Sequence, residues 1–498
     1  MNKIEQLKAE KDGLVVWDDL ERFARDGWES ISETDLERLK WVGIFHRKTT
    51  PGFFMMRVRV THGFLSADQA ETLSDVARQF GRSAVDLTTR QQIQLRWLTI
   101  EAIPEALRRM ALVGLSPLQT GMDSIRNVVG CPIAGIDPRE IIQTIPLSRS
   151  ITRGFLRNSD YTNLPRKFNI ALSGCDGDCC HSAAHDVGAT PARGPDGALG
   201  FNISVGGALG GSDPRFAVPL NAWAPPGRIR DIVLAILDLF RDHGPRETRT
   251  RSRLKYLIDE WGIDRFRDEL ERRLGAPLAP AGVSLLARHG EDHLGIHEQA
   301  QPGRFYAGIY VSTGRIGSRL LKEAARLSRE YGAGEVRLTT QQNLVIPHLP
   351  ESRLSDFQAD PALNEMPLNP SAIRRGLVVC TGNDFCHFAL IDTKGLAEEL
   401  VGKLEAMEAW TQPHRIHISG CPHACGQHRM GDIGIQGART KINGEVVPAA
   451  DVFRRSGHQE LYQLGQEVAS RIPWSDLPEL LVSIGREIDE ARAQPVIQ

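Results

Sequence analysis

At 498 residues the chain is too long for one hydrophobic core, so two to four domains are expected. A formal net charge of −2, with 41% hydrophobic and 24% charged residues, describes an ordinary globule and excludes the strong positive field on which nucleic-acid binders depend. Apolar runs such as IVLAIL (232–237) fall far short of a membrane span, and MNKIEQLKAEKDG lacks an apolar signal region. A cytoplasmic protein with no nucleic-acid or membrane partner is expected. Eight cysteines are too few for a disulfide scaffold in so long a chain, and their clustering points to metal chemistry in a reducing compartment.

Taken in order, residues 1–48 are polar and helix-prone, with Trp17, Trp28 and Trp41 as anchors, and read as an arm wrapped on the body. Residues 49–117 run from an alternating strand (MRVRV) through a turn at Gly63 into an amphipathic helix (ADQAETLSDVARQFG) and a second strand (VDLTTRQQIQL). Residues 118–300 form a longer α+β region containing SGCDGDCC. Residues 303–365 then repeat the earlier plan with GIYV, Gly314, SRLLKEAARLSREYG and VRLTTQQNLVI, and 366–498 repeat the α+β region around SGCPHACGQ. Gly63 to Gly314 and Thr88 to Thr339 both step by 251 residues, while Cys175 to Cys421 and Asp186 to Asp432 both step by 246. A register held through two blocks marks a duplication. Neither copy alone buries both faces of its sheet, so the copies are expected to pair about a pseudo-two-fold axis.

The copies have divided their chemistry. The second carries Cys380 and Cys386 as Cys-x5-Cys, then Cys421 and Cys425 as Cys-x3-Cys. Four thiolates suit a [4Fe–4S] cubane, and the first pair is wide for structural zinc; zinc or buried structural thiols stay open on the residues alone. The first copy has Cys131, Cys175 and Cys179 but no counterpart of Cys386, and these read as buried or free thiols, with Cys179 and Cys180 open to oxidation. Cations distribute the other way. Arg57 aligns with Gly308, Arg90 with Gln341 and Lys167 with Pro413, although Asn169 against Arg415 breaks the trend. Arg57 and Arg59 share a strand face by period two, as do Lys167 and Asn169. Brought near the thiols, such faces form a pocket for an anion, either a substrate or the carboxylates of a prosthetic group.

The segments GWESISETDLERLKWVGIFHR, FMMRVRV, LTTRQQIQLR, SIRNVVGCPIAGIDP, LPRKFN, VPLNAW, RLKYLIDEWG, CTGNDFC and SGCPHACGQ together resemble the siroheme-containing nitrite and sulfite reductases, from about Gly27 to at least Gly437. The resemblance implies an α+β fold in which paired ferredoxin-like half-domains and two siroheme/iron–sulfur domains surround a pseudo-two-fold axis. It implies siroheme joined to a [4Fe–4S] cluster held by Cys380, Cys386, Cys421 and Cys425, with Cys425 as the shared thiolate. Substrate-side cations fall on Arg57, Arg126 and Lys167, and siroheme contacts on Arg90 and Gln94. Gln427 of the CGQ motif falls on the cofactor side.

Asn169 stands where sulfite reductases tend to have a second lysine, which favours monoanionic nitrite; the expected reaction is six-electron reduction of nitrite to ammonium, with sulfite reduction as the alternative. His423 departs from the usual asparagine of CPNxC, and an imidazole there is expected to make the cofactor potentials pH-dependent near neutrality. No convincing G-x-G-x-x-G unit is present, so electrons come from another protein, implied to be ferredoxin. The basic segment RDHGPRETRTRSRLKY (241–256) is a candidate docking face, and a monomer is expected.

Overall fold

The computed structural model describes residues 2–287, 291–455 and 462–493. Residues 288–290, within the expected 118–300 region, and 456–461 and 494–498, within the expected 366–498 region, lie outside the described residues. The fold is α+β, with four sheets among the described residues.

The chain opens on helix Lys3–Glu10, whose first amides are capped by Asn2 Oδ1, accepting from Ile4 N at 3.0 Å and Glu5 N at 3.1 Å. Lys8 Nζ donates to Leu164 O at 2.9 Å, and Trp41, fully buried, donates from Nε1 to Thr162 O at 2.8 Å. These contacts bind the N-terminal segment across the 118–300 region. Trp17 and Trp28 pack at the edge of the largest core. The last residues of the expected arm behave differently: strand Ile44–His46 pairs antiparallel with Phe54–Val58 and belongs to the first sheet. Its side chains continue a buried run that begins at Leu39, Trp41 and Val42.

The duplication is expressed as a strand exchange. The first sheet takes Ile44–His46, Phe54–Val58, Ile93–Leu98 and Ala84–Leu87, and finishes with Arg315–Gly317 from the second copy. Its counterpart takes Gly295–Glu298, Arg304–Ile309, Leu344–Pro350 and Glu335–Leu338, and finishes with Phe64–Ser66 from the first. Helices Ala67–Phe80 and Ser318–Tyr331 pack together, joined by Ser74 Oγ donating to Ser318 O at 2.7 Å and by Arg329 reaching Asp68 and Glu71 at 2.6 and 2.7 Å. Each helix follows a tight turn at a left-handed glycine, Gly63 (φ +78°) and Gly314 (φ +68°). A Cβ at Gly63 would lie 2.6 Å from Leu338 O, in the other copy, so a side chain here would push the two copies apart. A continuous apolar core runs through both half-domains and the N-terminal segment.

The two remaining sheets are built alike. In one, Ile125–Gly130, Phe168–Leu172 and Val187–Arg193 run parallel before turning antiparallel through Leu199–Val205 and Val218–Ala224. In the other, Leu377–Val379, Ile416–Ser419 and Ile433–Ile442 are parallel, followed by antiparallel Glu445–Arg454 and Gln466–Pro473. Parallel strands end at the same edge, so the loops after neighbouring strands meet outside the carboxyl ends, where open sheets place their ligands.

Candidate functional site

That edge is where the second copy presents its thiols. Leu377 and Val379 pair with Ile416 and Ile418, so Cys380 and the loop carrying Cys421 leave the sheet side by side. The Cys-x3-Cys loop is shaped by two left-handed residues, Ala424 (φ +53°) and Gln427 (φ +58°). Gly420 N donates to Cys380 Sγ at 3.1 Å, and the Cys380 carbonyl accepts from Thr393 Oγ1 at 2.6 Å. The four thiols lie within electrostatic reach of one another. Burial, reinforced by that proximity, raises Cys380 above the ordinary thiol value and pushes Cys421 up to about 12. Such a set favours thiolates only with a cationic centre among them. Tetrahedral zinc, with Zn–S of about 2.3 Å, places sulfurs about 3.8 Å apart. Among the described residues no three of these four sulfurs lie within 4.8 Å, so the set is too open for one ion and fits the larger cubane.

Cys425 is the exposed member of the four and faces a group of cations. Arg57, on Phe54–Val58, donates to Thr120 O at 3.0 Å and lies over the Phe45 ring at 4.8 Å. Burial and repulsion from Arg90, Arg47 and Arg96 lower its pKa to about 9, with Cys425 opposing. Arg126, on Ile125–Gly130, is driven well down by burial and by Arg57, Arg90 and Arg166. Lys167, immediately before Phe168–Leu172, is driven well below the usual 10.5 by burial and Arg253, against the attraction of Cys425. Arg90, in the turn before Ile93–Leu98, is lowered by burial, again with Cys425 opposing. Buried donors here have no protein acceptor: Arg57 Nε, Arg90 Nε, Arg126 Nη1 and the Gln92 amide. Mutually repelling cations with unfilled hydrogen bonds are what a bound polyanion satisfies, and a carboxylate-rich prosthetic group fits this donor set.

The other expected site residues are placed as follows. Gln94 faces Arg57 across the strand pair and accepts from Arg96 Nη2, which also donates to Thr381 Oγ1 at 2.7 Å, beside Cys380. Arg96 Nε donates to Asp86 at 2.8 Å and its guanidinium covers the Phe385 ring at 4.6 Å, fixing the CTGNDFC loop. Asn169 Nδ2 donates to Asp186 Oδ2 at 3.1 Å, leaving its buried Oδ1 open. Gln427 is buried, and its carbonyl pairs with His417 Nδ1 at 3.1 Å. Thr89 Oγ1 of the first copy donates to Cys425 O at 3.2 Å, joining the cationic half to the thiol loop.

Three expectations change. His423 has Nδ1 3.4 Å from Cys421 Sγ and its ring on Phe388; partial desolvation of the ring, with Lys167 and Arg166 nearby, lowers its pKa, a shift away from the near-neutral titration expected from the sequence. Arg59, which shares a strand face with Arg57, is turned inward onto the carbonyls of Gln119 at 2.9 Å and Ile125 at 3.0 Å and takes no part in the cationic group. The basic run 241–256 is largely spent inside the molecule. Arg249 grips Asp123 with two bonds of 2.7 Å, Arg246 reaches Glu5 at 2.8 Å, Arg253 reaches Asp186 at 2.8 Å and Lys255 reaches Asp213 at 3.1 Å. It is a set of internal ties and supplies little free charge for docking. Arg47 and Arg166 join the cationic group without having been singled out, and so does Arg253, which had been read as part of the basic docking run. Of these, Arg166 alone carried a signal toward this group, standing beside Lys167 in PRKFN.

Fold and site define a duplicated α+β redox metalloprotein in which an open four-thiol centre in one copy faces an anion-binding group in the other. The profile of the nitrite and sulphite reductase 4Fe-4S domain matches residues 121–278 and 372–462, and that of the nitrite/sulfite reductase ferredoxin-like half domain matches 46–113 and 297–363. The chain belongs to this nitrite and sulfite reductase family. It is 43% identical to ferredoxin–nitrite reductase of Synechococcus elongatus over 97% of its own length and 95% of the relative's. It is 35% identical to the chloroplastic ferredoxin–nitrite reductase of Spinacia oleracea, over 97% of this chain and 85% of that one. The solved structure of the Mycobacterium tuberculosis NirA protein superposes with a TM-score of 0.92 at 30% identity, over 100% of this chain and 95% of that one.

Proposed function

We propose that the protein reduces nitrite to ammonium with electrons from reduced ferredoxin, using siroheme coupled to a [4Fe–4S] cluster. The supporting observation is the buried cationic group of Arg57, Arg90, Arg126 and Lys167, with donors of the three arginines unfilled and the exposed Cys425 facing it. Relatives named ferredoxin–nitrite reductase over nearly the whole chain favour nitrite over sulfite.

In this reading Cys380, Cys386, Cys421 and Cys425 hold the cluster, with Cys425 shared. Arg90 and Gln94 bind siroheme, and Gln427 and His423 border it. When bound, siroheme supplies an iron site for the anion and the cluster supplies electrons singly. Arg57, Arg126 and Lys167 hold nitrite and stabilise charge as its N–O bonds weaken. Lys167 is the proton donor at Nζ, because burial and neighbouring cations make the ammonium a stronger acid than usual. Asn169 is neutral and tied to Asp186, so this position does not add the second lysine charge that a more highly charged substrate would use.

Anaerobic turnover with one artificial reductant, nitrite and sulfite in parallel, tests the assignment. Ammonium release with a larger kcat/KM for nitrite is expected; faster sulfide release from sulfite makes the protein a sulfite reductase.

A further inference from the structure

The first copy keeps its own thiol site. Cys131 follows strand Ile125–Gly130, and Cys175 and Cys179 lie in the loop after Phe168–Leu172, matching Cys380, Cys421 and Cys425. The loop geometry is retained: Asp178 (φ +42°) and His181 (φ +52°) are left-handed where Ala424 and Gln427 are. Thr340 Oγ1 donates to Cys179 O at 3.0 Å as Thr89 Oγ1 does to Cys425 O at 3.2 Å. The spacing differs. Here the three sulfurs all lie within 4.8 Å of one another and all three residues are buried.

A tight buried trio suits a single ion, for which tetrahedral thiolate ligation requires sulfur separations of about 3.8 Å. Cys386 has no counterpart, and the imidazole on this side is His293, on the segment entering the second half-domain and outside the 4.8 Å grouping of the three sulfurs. This imidazole is 2% exposed, neither ring nitrogen has a hydrogen-bond partner, and it lies within electrostatic reach of Cys175. Its ring sits 6.4 Å from that of Tyr306, which packs on the three cysteines. The backbone amides of Gly177 and Glu291 donate to Cys175 and Cys179. Arg337, buried and paired with Glu335, donates to Pro132 O at 3.0 Å and Ala134 O at 2.8 Å, which fixes the Cys131 loop and places a guanidinium within electrostatic reach of Cys131. Amides on sulfur and a fixed ligand loop are the support a thiolate–metal site needs.

We propose that Cys131, Cys175 and Cys179 bind one thiophilic divalent cation of the zinc class, distinct from the iron–sulfur centre, with the unpartnered imidazole of His293 turning in as the fourth ligand when the ion binds. Soft sulfur with one imidazole selects such an ion over hard cations, and a closed four-ligand shell makes the site structural. It ties the first copy's two cysteine loops to the segment entering the second half-domain. The inference does not depend on which anion the enzyme reduces.

The test is elemental analysis of the holoprotein purified from zinc-replete cells, with zinc X-ray absorption on the same sample. About one zinc per chain is expected, in a shell of three sulfurs near 2.3 Å and one nitrogen near 2.0 Å. Cys175→Ser should lower zinc about tenfold while siroheme content is kept. Absence of zinc, a sulfur-poor shell, or zinc unchanged in Cys175→Ser would overturn the site, and oxygen in place of nitrogen would overturn His293 as ligand. If the variant does not fold, the wild-type absorption spectrum decides alone.

Discussion

Asn169 and Arg415 hold equivalent positions, and the structure explains why they differ. Each backbone amide donates to the equivalent aspartate, Asn169 N to Asp186 at 2.8 Å and Arg415 N to Asp432 at 3.0 Å. In the second copy Arg415 also pairs with Asp432 through its side chain at 2.8 Å, whereas in the first that role passes to Arg253. The cation that broke the sequence trend is therefore neutralised locally, and Asn169 itself adds no charge beside Lys167. One additional unit charge at about 8 Å changes an anion's binding by about 2 kcal/mol at an effective dielectric of 20. Asn169→Lys is thus expected to shift the sulfite-to-nitrite ratio of kcat/KM upward by about tenfold or more; an unchanged ratio removes Asn169 from specificity. Lys167→Met should lower kcat for nitrite about a hundredfold with siroheme retained, and a change confined to KM would make Lys167 a binding group and not a proton donor.

At the scale of elements, paired glutamines lock the copies. Gln91 Nε2 donates to Gly130 O and Leu338 O, each at 3.0 Å, and Gln342 Nε2 donates to Leu87 O and Val379 O at 2.9 and 3.0 Å. The TTRQQ and TTQQN repeats were legible as duplication, but their role as crossed clamps was not, because the carbonyls they reach belong to strands far away in sequence. Burial raises the Asp86 carboxyl, but Arg96, Lys394 and Arg315 outweigh it and hold the group below its ordinary 3.8. A depressed folded value means that its stabilisation is present above 3.8 and is lost as pH falls through the lower folded value. Asp86→Asn leaves buried cations unpaired and should cost about 3–5 kcal/mol at pH 7, read as a lower thermal midpoint; a midpoint within a degree of wild type contradicts this pairing. The basic run 241–256 misled for the same reason as the clamps. Its partners Asp123, Asp186 and Asp213 are distant in sequence, so internal ties looked like a free charged face.

Across the whole molecule, the duplication places four thiols at one sheet edge and the cations at its mate, and strand exchange brings the two together. The division of labour was readable because equivalent positions differ in a consistent direction. The part played by Arg47 and Arg253 was not, since they come from the N-terminal segment and the 118–300 region and converge only in three dimensions. The central claim is that cluster and siroheme form one unit through Cys425. Mössbauer spectroscopy of holoprotein enriched in isotopic iron tests it most directly. The account predicts cluster and siroheme iron in a ratio of about four to one, magnetically coupled in the wild type and uncoupled in Cys425→Ser. Independent spectra for the two iron sites in the wild type, or a four-thiol site without iron, would contradict it.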